Sequence, residues 1–155
     1  MAAEQLAAEA GRPAFDVVVA SEVIEHVRRP ADFVATLAAL TAPHGSLVIT
    51  TLNRTPLSYA VAILGAERLL RAVPEGTHDW ARFLTPQELA LMGADAGLAL
   101  VTLSGAAYNP LTRAWLFTDL TEVNYMASFR RRQGGAAGGD EGDGPAAPPP
   151  SGRDE

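Results

Sequence analysis

The chain reads as an α/β protein: the second half of a doubly wound sheet, with an antiparallel strand pair at its C-terminal end and a disordered tail. Three observations lead there. "FDVVVA" (residues 15–20) alternates too little for a half-wet strand, which suits a parallel strand covered on both faces. A helix and a second apolar strand follow it directly, giving a βαβ unit that should cross over right-handed. Beyond a well-capped helix, two more strand-like segments are joined by a connection that turns the chain back.

Taken in order, "MAAEQLAAEAGRP" reads as the last turns of an amphipathic helix, stopped at Gly11 with Pro13 after it. It has neither the basic start nor the apolar run of a signal peptide, and no targeting sequence is expected in it. "FDVVVA" is the first strand. "PADFVATLAAL" is a helix that tolerates Pro30 in its first turn. "APHGSLVITTLN" is a turn and a second buried strand, with His44 as an exposed turn residue. "PLSYAVAILGAERLLRAV" is a helix. Over residues 57–73 its only charges, Glu67, Arg68 and Arg71, occupy one arc of about 100°, so it suits a lid or a helix lying in a membrane interface. Its apolar run is too short to span a bilayer.

"TPQELALMGADAGL" opens with a capping box: Thr85 as cap, Pro86 in the first position, Glu88 three residues after the cap. Gly93 interrupts that helix at an expected cost of up to about 1 kcal/mol. "LALVTLSGAAYN" and "EVNYMASF" are the antiparallel strands, and "PLTRAWLFTDL" connects them. From residue 131 onward nothing larger than alanine among the aliphatics remains, so residues 131–155 are expected to be disordered and 1–130 to form one partial domain.

Composition narrows the function. The 155 residues carry a net charge of −6 and no cysteine, which excludes a disulfide framework and thiolate metal ligands and argues against nucleic acid as a partner. Open α/β sheets bind ligands at the C-terminal ends of their strands, and "SEVIEH" lies there. Glu22, Glu25 and His26 are spaced i, i+3 and i+4, so a helical turn would bring them onto one face. Two carboxylates and an imidazole can hold a divalent cation and leave positions open for substrate. His26 could instead act as a general base oriented by Glu25. Equally, all three could be solvated residues at a helix start. Trp80, Tyr108 and Trp115 are expected to pack rather than line a site, and His78 to lie in the loop after the helix over "PLSYAVAILGAERLLRAV".

"FDVVVASEVIEHV" resembles the motif after the fourth strand of class I methyltransferases that use S-adenosylmethionine. With "TTLNRTPLS", "GAERLLRAVPEGTHDWARFLTPQEL", "GAAYNPLTRAW" and "NYM" following in that order, residues 4–130 resemble the ubiquinone-biosynthesis O-methyltransferase family. The resemblance implies the second half of a Rossmann-like class I methyltransferase sheet. It implies methylation of a phenolic oxygen on polyprenylated dihydroxy-aromatic intermediates, with S-adenosylmethionine as donor and Mg²⁺ or a similar divalent cation. Ser21 would contact S-adenosylmethionine, and Glu22, Glu25 and His26 would bind the cation; His26, if unligated, would be the base. It also implies contact with a membrane surface and with other ubiquinone-biosynthesis proteins. The compartment would be the matrix face of the mitochondrial inner membrane, or the cytoplasmic face of a bacterial one.

The sequence departs from that family in its first half. The 14 residues before Phe15 hold no glycine-rich loop after a strand, and "GGAAGG" at 134–139 follows no strand. The expectation is that this chain alone binds S-adenosylmethionine negligibly and that the "FDVVVA" strand has a bare edge. The alternative function is therefore a catalytically silent subunit or fragment that docks on the ubiquinone-synthesis assembly or on membrane lipid.

Overall fold

The computed structural model describes residues 3–11, 13, 15–61, 79–109 and 112–132. The expectations for Arg68, Arg71, His78 and residues 133–155 fall outside the described residues.

Helix α1 (Ala3–Ala10) ends at Gly11, whose φ of +61° and N–H bond to the Ala7 carbonyl make the expected stop. Strand β1 (Phe15–Ser21) leads through a 3₁₀ turn (Ile24–His26) into α2 (Pro30–Leu40), with Pro30 in its first turn. Strand β2 (Thr41–Leu52) pairs with β1 in parallel, as the βαβ reading requires. The turn expected at residues 42–45 is instead taken up within β2. Pairing jumps from Phe15↔Thr41 to Val17↔Ser46, so a bulge absorbs the extra residues. Gly45 sits in that bulge. A Cβ there would lie 2.8 Å from the Asp16 carbonyl oxygen, so only glycine lets the two backbones approach. His44 is exposed, as expected.

A short helix α3 (Pro56–Ser58) follows, capped by Thr55. A second 3₁₀ turn (Trp80–Arg82) precedes α4 (Pro86–Asp95). The capping box of α4 forms as the sequence predicts: the Thr85 Oγ1 accepts from the Glu88 N–H, and the Glu88 carboxylate accepts from the Thr85 N–H at 2.8 Å. Strand β3 (Leu98–Asn109), β4 (Ala114–Thr118) and β5 (Asn124–Arg131) complete the chain. The strand β4 lies in the segment read from sequence as a connection, and it forms a hairpin with β3. Arg131, placed by composition in the tail, instead ends β5, and its guanidinium donates to the Thr41 and Ala38 carbonyls.

The five strands run in the order β1-β2-β5-β3-β4. Strand β5 inserts antiparallel between β2 and β3. One face of the sheet packs against α2 and α4, burying Val34, Leu37, Leu47, Ile49, Leu89 and Phe129. Among the described residues no helix covers the other face. The expectation that β1 is covered on both faces fails for that reason: Val17 and Val19 are 60% and 61% exposed. Gly93 is explained by packing. A Cβ at that position would lie 2.6 Å from the Phe129 ring, so α4 rests on β5 through a bare backbone. Among the described residues no helix is long and apolar enough to cross a membrane.

Candidate functional site

The polypeptide leaves β1 at its C-terminal end through Glu22, whose φ of +52° is a left-handed conformation costly for a side chain with a Cβ. The Glu22 N–H still bonds the Thr50 carbonyl at 3.0 Å, so the turn starts while the parallel ladder is intact. Ser21 and Thr50 are partners in that ladder, and their hydroxyl oxygens lie 2.9 Å apart. The Thr50 hydroxyl donates to Glu22 Oε1 at 2.9 Å. A hydroxyl carries one proton. With Thr50's proton committed to Glu22, Ser21 must donate to Thr50, and the polarity of the chain is Ser21 → Thr50 → Glu22.

The 3₁₀ turn then carries Ile24 and Glu25 inward. Glu25 is 3% exposed and accepts a 2.9 Å hydrogen bond from the Thr51 hydroxyl. Its other oxygen lies 3.9 Å from His26 Nε2, and the His26 side chain is half exposed. Adjacent strand residues point to opposite faces of a sheet. Thr50 binds Glu22 and Thr51 binds Glu25, so the two carboxylates are anchored on opposite faces of β2. The three-ligand set of Glu22, Glu25 and His26 therefore does not converge. Among the described residues no three His, Asp or Glu side chains are grouped to hold a metal ion. The helical turn assumed for residues 22–27 is the source of the error: only 24–26 turn helically, and Glu22 stands outside that turn in the left-handed region. The donor set does not fit a divalent cation.

Ser21, Glu22 and Thr50 open onto a cleft of about 510 Å³ on the face of the sheet that no described helix covers. Leu52 and Met126 contribute apolar wall, and Trp115 and Phe117 of β4 line it as well. These two aromatics are 66% and 75% exposed. Trp115 is thus not the packing residue expected from sequence. Trp80 is: its indole N–H donates to the Thr55 carbonyl at 2.9 Å and its ring meets Tyr59 edge-on. Tyr108 is the register partner of Trp115, and its side chain lies outside the described set. His26 does not line the cleft. Asn124 fixes the hairpin against the sheet, its Oδ1 accepting from the Ala106 N–H at 2.9 Å. Tyr125 donates to the Leu84 carbonyl at 3.0 Å, and burial first, then the charges of Glu88 and Glu25, push its phenol above the ordinary range. It stays a neutral donor and serves as a strut, not a base.

Thr50, Phe117 and Met126 were missed in the sequence. The signal for Phe117 was present: Trp115 and Phe117 alternate with period two in "AWLFT", which marks a strand with one aromatic face. Thr50 carries no such mark. Only the register of β2 against β1 puts it beside Ser21.

The fold, a sheet backed by helices on one face, is shared with solved structures. A SAM-dependent methyltransferase from Thermotoga maritima superposes with a TM-score of 0.56 at 13% identity, over 78% of this chain and 58% of that one. A SAM-dependent methyltransferase from Methanosarcina mazei gives 0.51 at 12%, over 77% and 60%. A family model described as a methyltransferase domain matches residues 1–103. The chain belongs to the methyltransferase domain family. Among relatives of this methyltransferase chain, an Arabidopsis thaliana protein named "Ubiquinone biosynthesis O-methyltransferase, mitochondrial" is 47% identical over 131 residues, 84% of this chain and 40% of that protein. Proteins named ubiquinone biosynthesis O-methyltransferase from Caulobacter vibrioides and Burkholderia pseudomallei are 50% and 46% identical, over 83% and 84% of this chain and 51% and 56% of theirs. The chain spans about half the length of the curated relatives it matches.

Proposed function

We infer that this methyltransferase chain supplies the phenol-binding side of an S-adenosylmethionine-dependent O-methyltransferase of ubiquinone biosynthesis. The substrate class is a polyprenylated dihydroxy-aromatic. The observation that carries the reading is the cleft itself. An exposed Trp115 and Phe117 stand across from a polar chain ending in the Glu22 carboxylate, in a chain 46–50% identical to proteins of that name.

In this reading the aromatic pair stacks on the substrate ring and excludes water from it. Leu52 and Met126 take the apolar part of the substrate. Ser21, at the end of β1, faces the cofactor, whose sulfonium supplies an electrophilic methyl group. Glu22 accepts the hydrogen bond of the reacting phenol. As the O–C bond forms, the phenolic proton becomes strongly acidic, so a carboxylate suffices to receive it. Thr50 fixes that carboxylate by donating to Glu22 Oε1. The chemistry needs mainly positioning. No step passes through a cation, because Glu22 and Glu25 lie on opposite faces of β2, and the base role moves from His26 to Glu22. Membrane contact and other ubiquinone-biosynthesis proteins remain proposed partners, on the ground of the substrate's isoprenoid tail.

The test is a titration of the chain with a short-chain prenylated catechol, read by tryptophan fluorescence. Saturable quenching is expected, and Trp115→Leu should remove it while Trp80→Phe should not. Absence of any quenching at millimolar catechol overturns the reading. Transfer of labelled methyl from S-adenosylmethionine to the bound catechol distinguishes an active enzyme from a silent docking subunit.

A further inference from the structure

A second cleft, of about 300 Å³, shares no lining residue with the first. It opens between the turn after β1, the end of β2 and the 3₁₀ turn before α4. Arg28, Arg54 and Arg82 line it, together with Val27, Pro30 and Leu84; among the described residues no acidic side chain lines it, although Glu88 pairs with Arg54 and Asp79 with Arg82 from outside its wall. That charge runs against the composition. The chain has a net charge of −6, yet three of its twelve basic residues, all of them arginine, meet at one cleft.

The three guanidinium groups are held differently. Arg54 is built in: its Nη1 donates to the Phe83 carbonyl at 3.1 Å and its Nη2 pairs with Glu88, which the α4 capping box holds in place. Arg82 uses Nε on Asp79 at 3.3 Å, an exposed pair of little energetic weight. Its fork of Nη donors stays available. Among the described residues no ion pair or hydrogen bond engages Arg28. The neighbouring Asp32 is taken up by Arg29 at 2.9 Å.

We propose that this cleft is an oxyanion site for a phosphate ester. Guanidinium forks match phosphate oxygens in geometry and bind them with charge-assisted hydrogen bonds. One fixed arginine sets the position, and the two exposed ones close on the anion. The apolar rim of Val27, Pro30 and Leu84 contacts the esterified group rather than the phosphate. A lipid headgroup and a soluble phosphate ester share this chemistry, and the experiment separates them.

The full chain is titrated calorimetrically with glycerol 3-phosphate and, separately, sedimented with phosphatidylcholine vesicles with and without phosphatidylglycerol. The double variant Arg28→Gln/Arg82→Gln changes only exposed side chains, so the fold, checked by circular dichroism, should be kept. Arg113→Gln, in the exposed β3–β4 turn, controls for charge alone. Expected is binding of glycerol 3-phosphate that weakens about tenfold or more in the double variant and is unchanged in the control. Vesicle binding that depends on phosphatidylglycerol and falls in the same variant assigns the site to a lipid headgroup; binding of the soluble ester alone assigns it to a soluble ligand. Equal weakening in Arg113→Gln, or no binding in either arm, overturns the proposal.

Discussion

Thr50 and Thr51 are neighbours with opposite duties. One faces the cleft and anchors Glu22; the other faces the helices and satisfies the buried Glu25. Removing the second hydroxyl leaves a buried carboxylate without its donor, so Thr51→Val should lower stability by about 1–3 kcal/mol, read by urea unfolding. Thr50→Val should leave unfolding nearly unchanged and weaken catechol binding instead. The same separation makes a prediction for cations. Mg²⁺ at millimolar level should not raise the melting temperature through Glu22 and Glu25, because their carboxylates are anchored on opposite faces of β2; a rise that Glu22→Gln and Glu25→Gln each abolish would show that they do meet on one ion. Ser21, Glu22, Glu25 and His26 were legible in the sequence as residues of interest, since "SEVIEH" follows a strand. Their grouping was not, because a spacing of i, i+3, i+4 implies one face only if the backbone is helical throughout, and φ at Glu22 is positive.

At the scale of elements, α4 shows local and tertiary rules agreeing at one end and conflicting in the middle. Its capping box was readable from three residues. The Glu88 carboxyl is held below its ordinary pKa of 4.5, chiefly by the Thr85 backbone N–H and further by Arg54. A depressed carboxyl stabilises the fold above its unfolded pKa, and that contribution is lost as pH falls through the folded value. The melting-temperature gap between the chain and Glu88→Gln should therefore be constant above about pH 5 and close on further acidification. Gly93 goes the other way. Helix propensity says that alanine should stabilise by about 1 kcal/mol. The Phe129 ring in the way says that it should not, since overpacking costs about 1–3 kcal/mol. Gly93→Ala is expected to lower stability, measured by chemical denaturation. The missed strand β4 has a similar lesson: a five-residue edge strand with three exposed apolar side chains satisfies no rule for a buried strand.

For the molecule as a whole, the open feature is the sheet's bare side. Strand β1 is an edge among the described residues, and Val17 and Val19 stand exposed beside it. Unpaired edges with apolar faces pair with other chains. Val17→Lys/Val19→Lys should reduce concentration-dependent self-association, measured by sedimentation velocity, with little change in melting temperature. By itself the sequence determined the α/β class, the βαβ unit, the stop of α1 at Gly11 and the capping box of α4, and it pointed to the end of β1 as a candidate site. Those are local properties: hydrophobic period, cap chemistry and the direction of parallel strands. Tertiary structure alone decided that β5 slots between β2 and β3, that Trp115 and Phe117 wall the cleft, and that Glu22 and Glu25 part company. Each depends on register between segments distant in the chain, which no local pattern encodes.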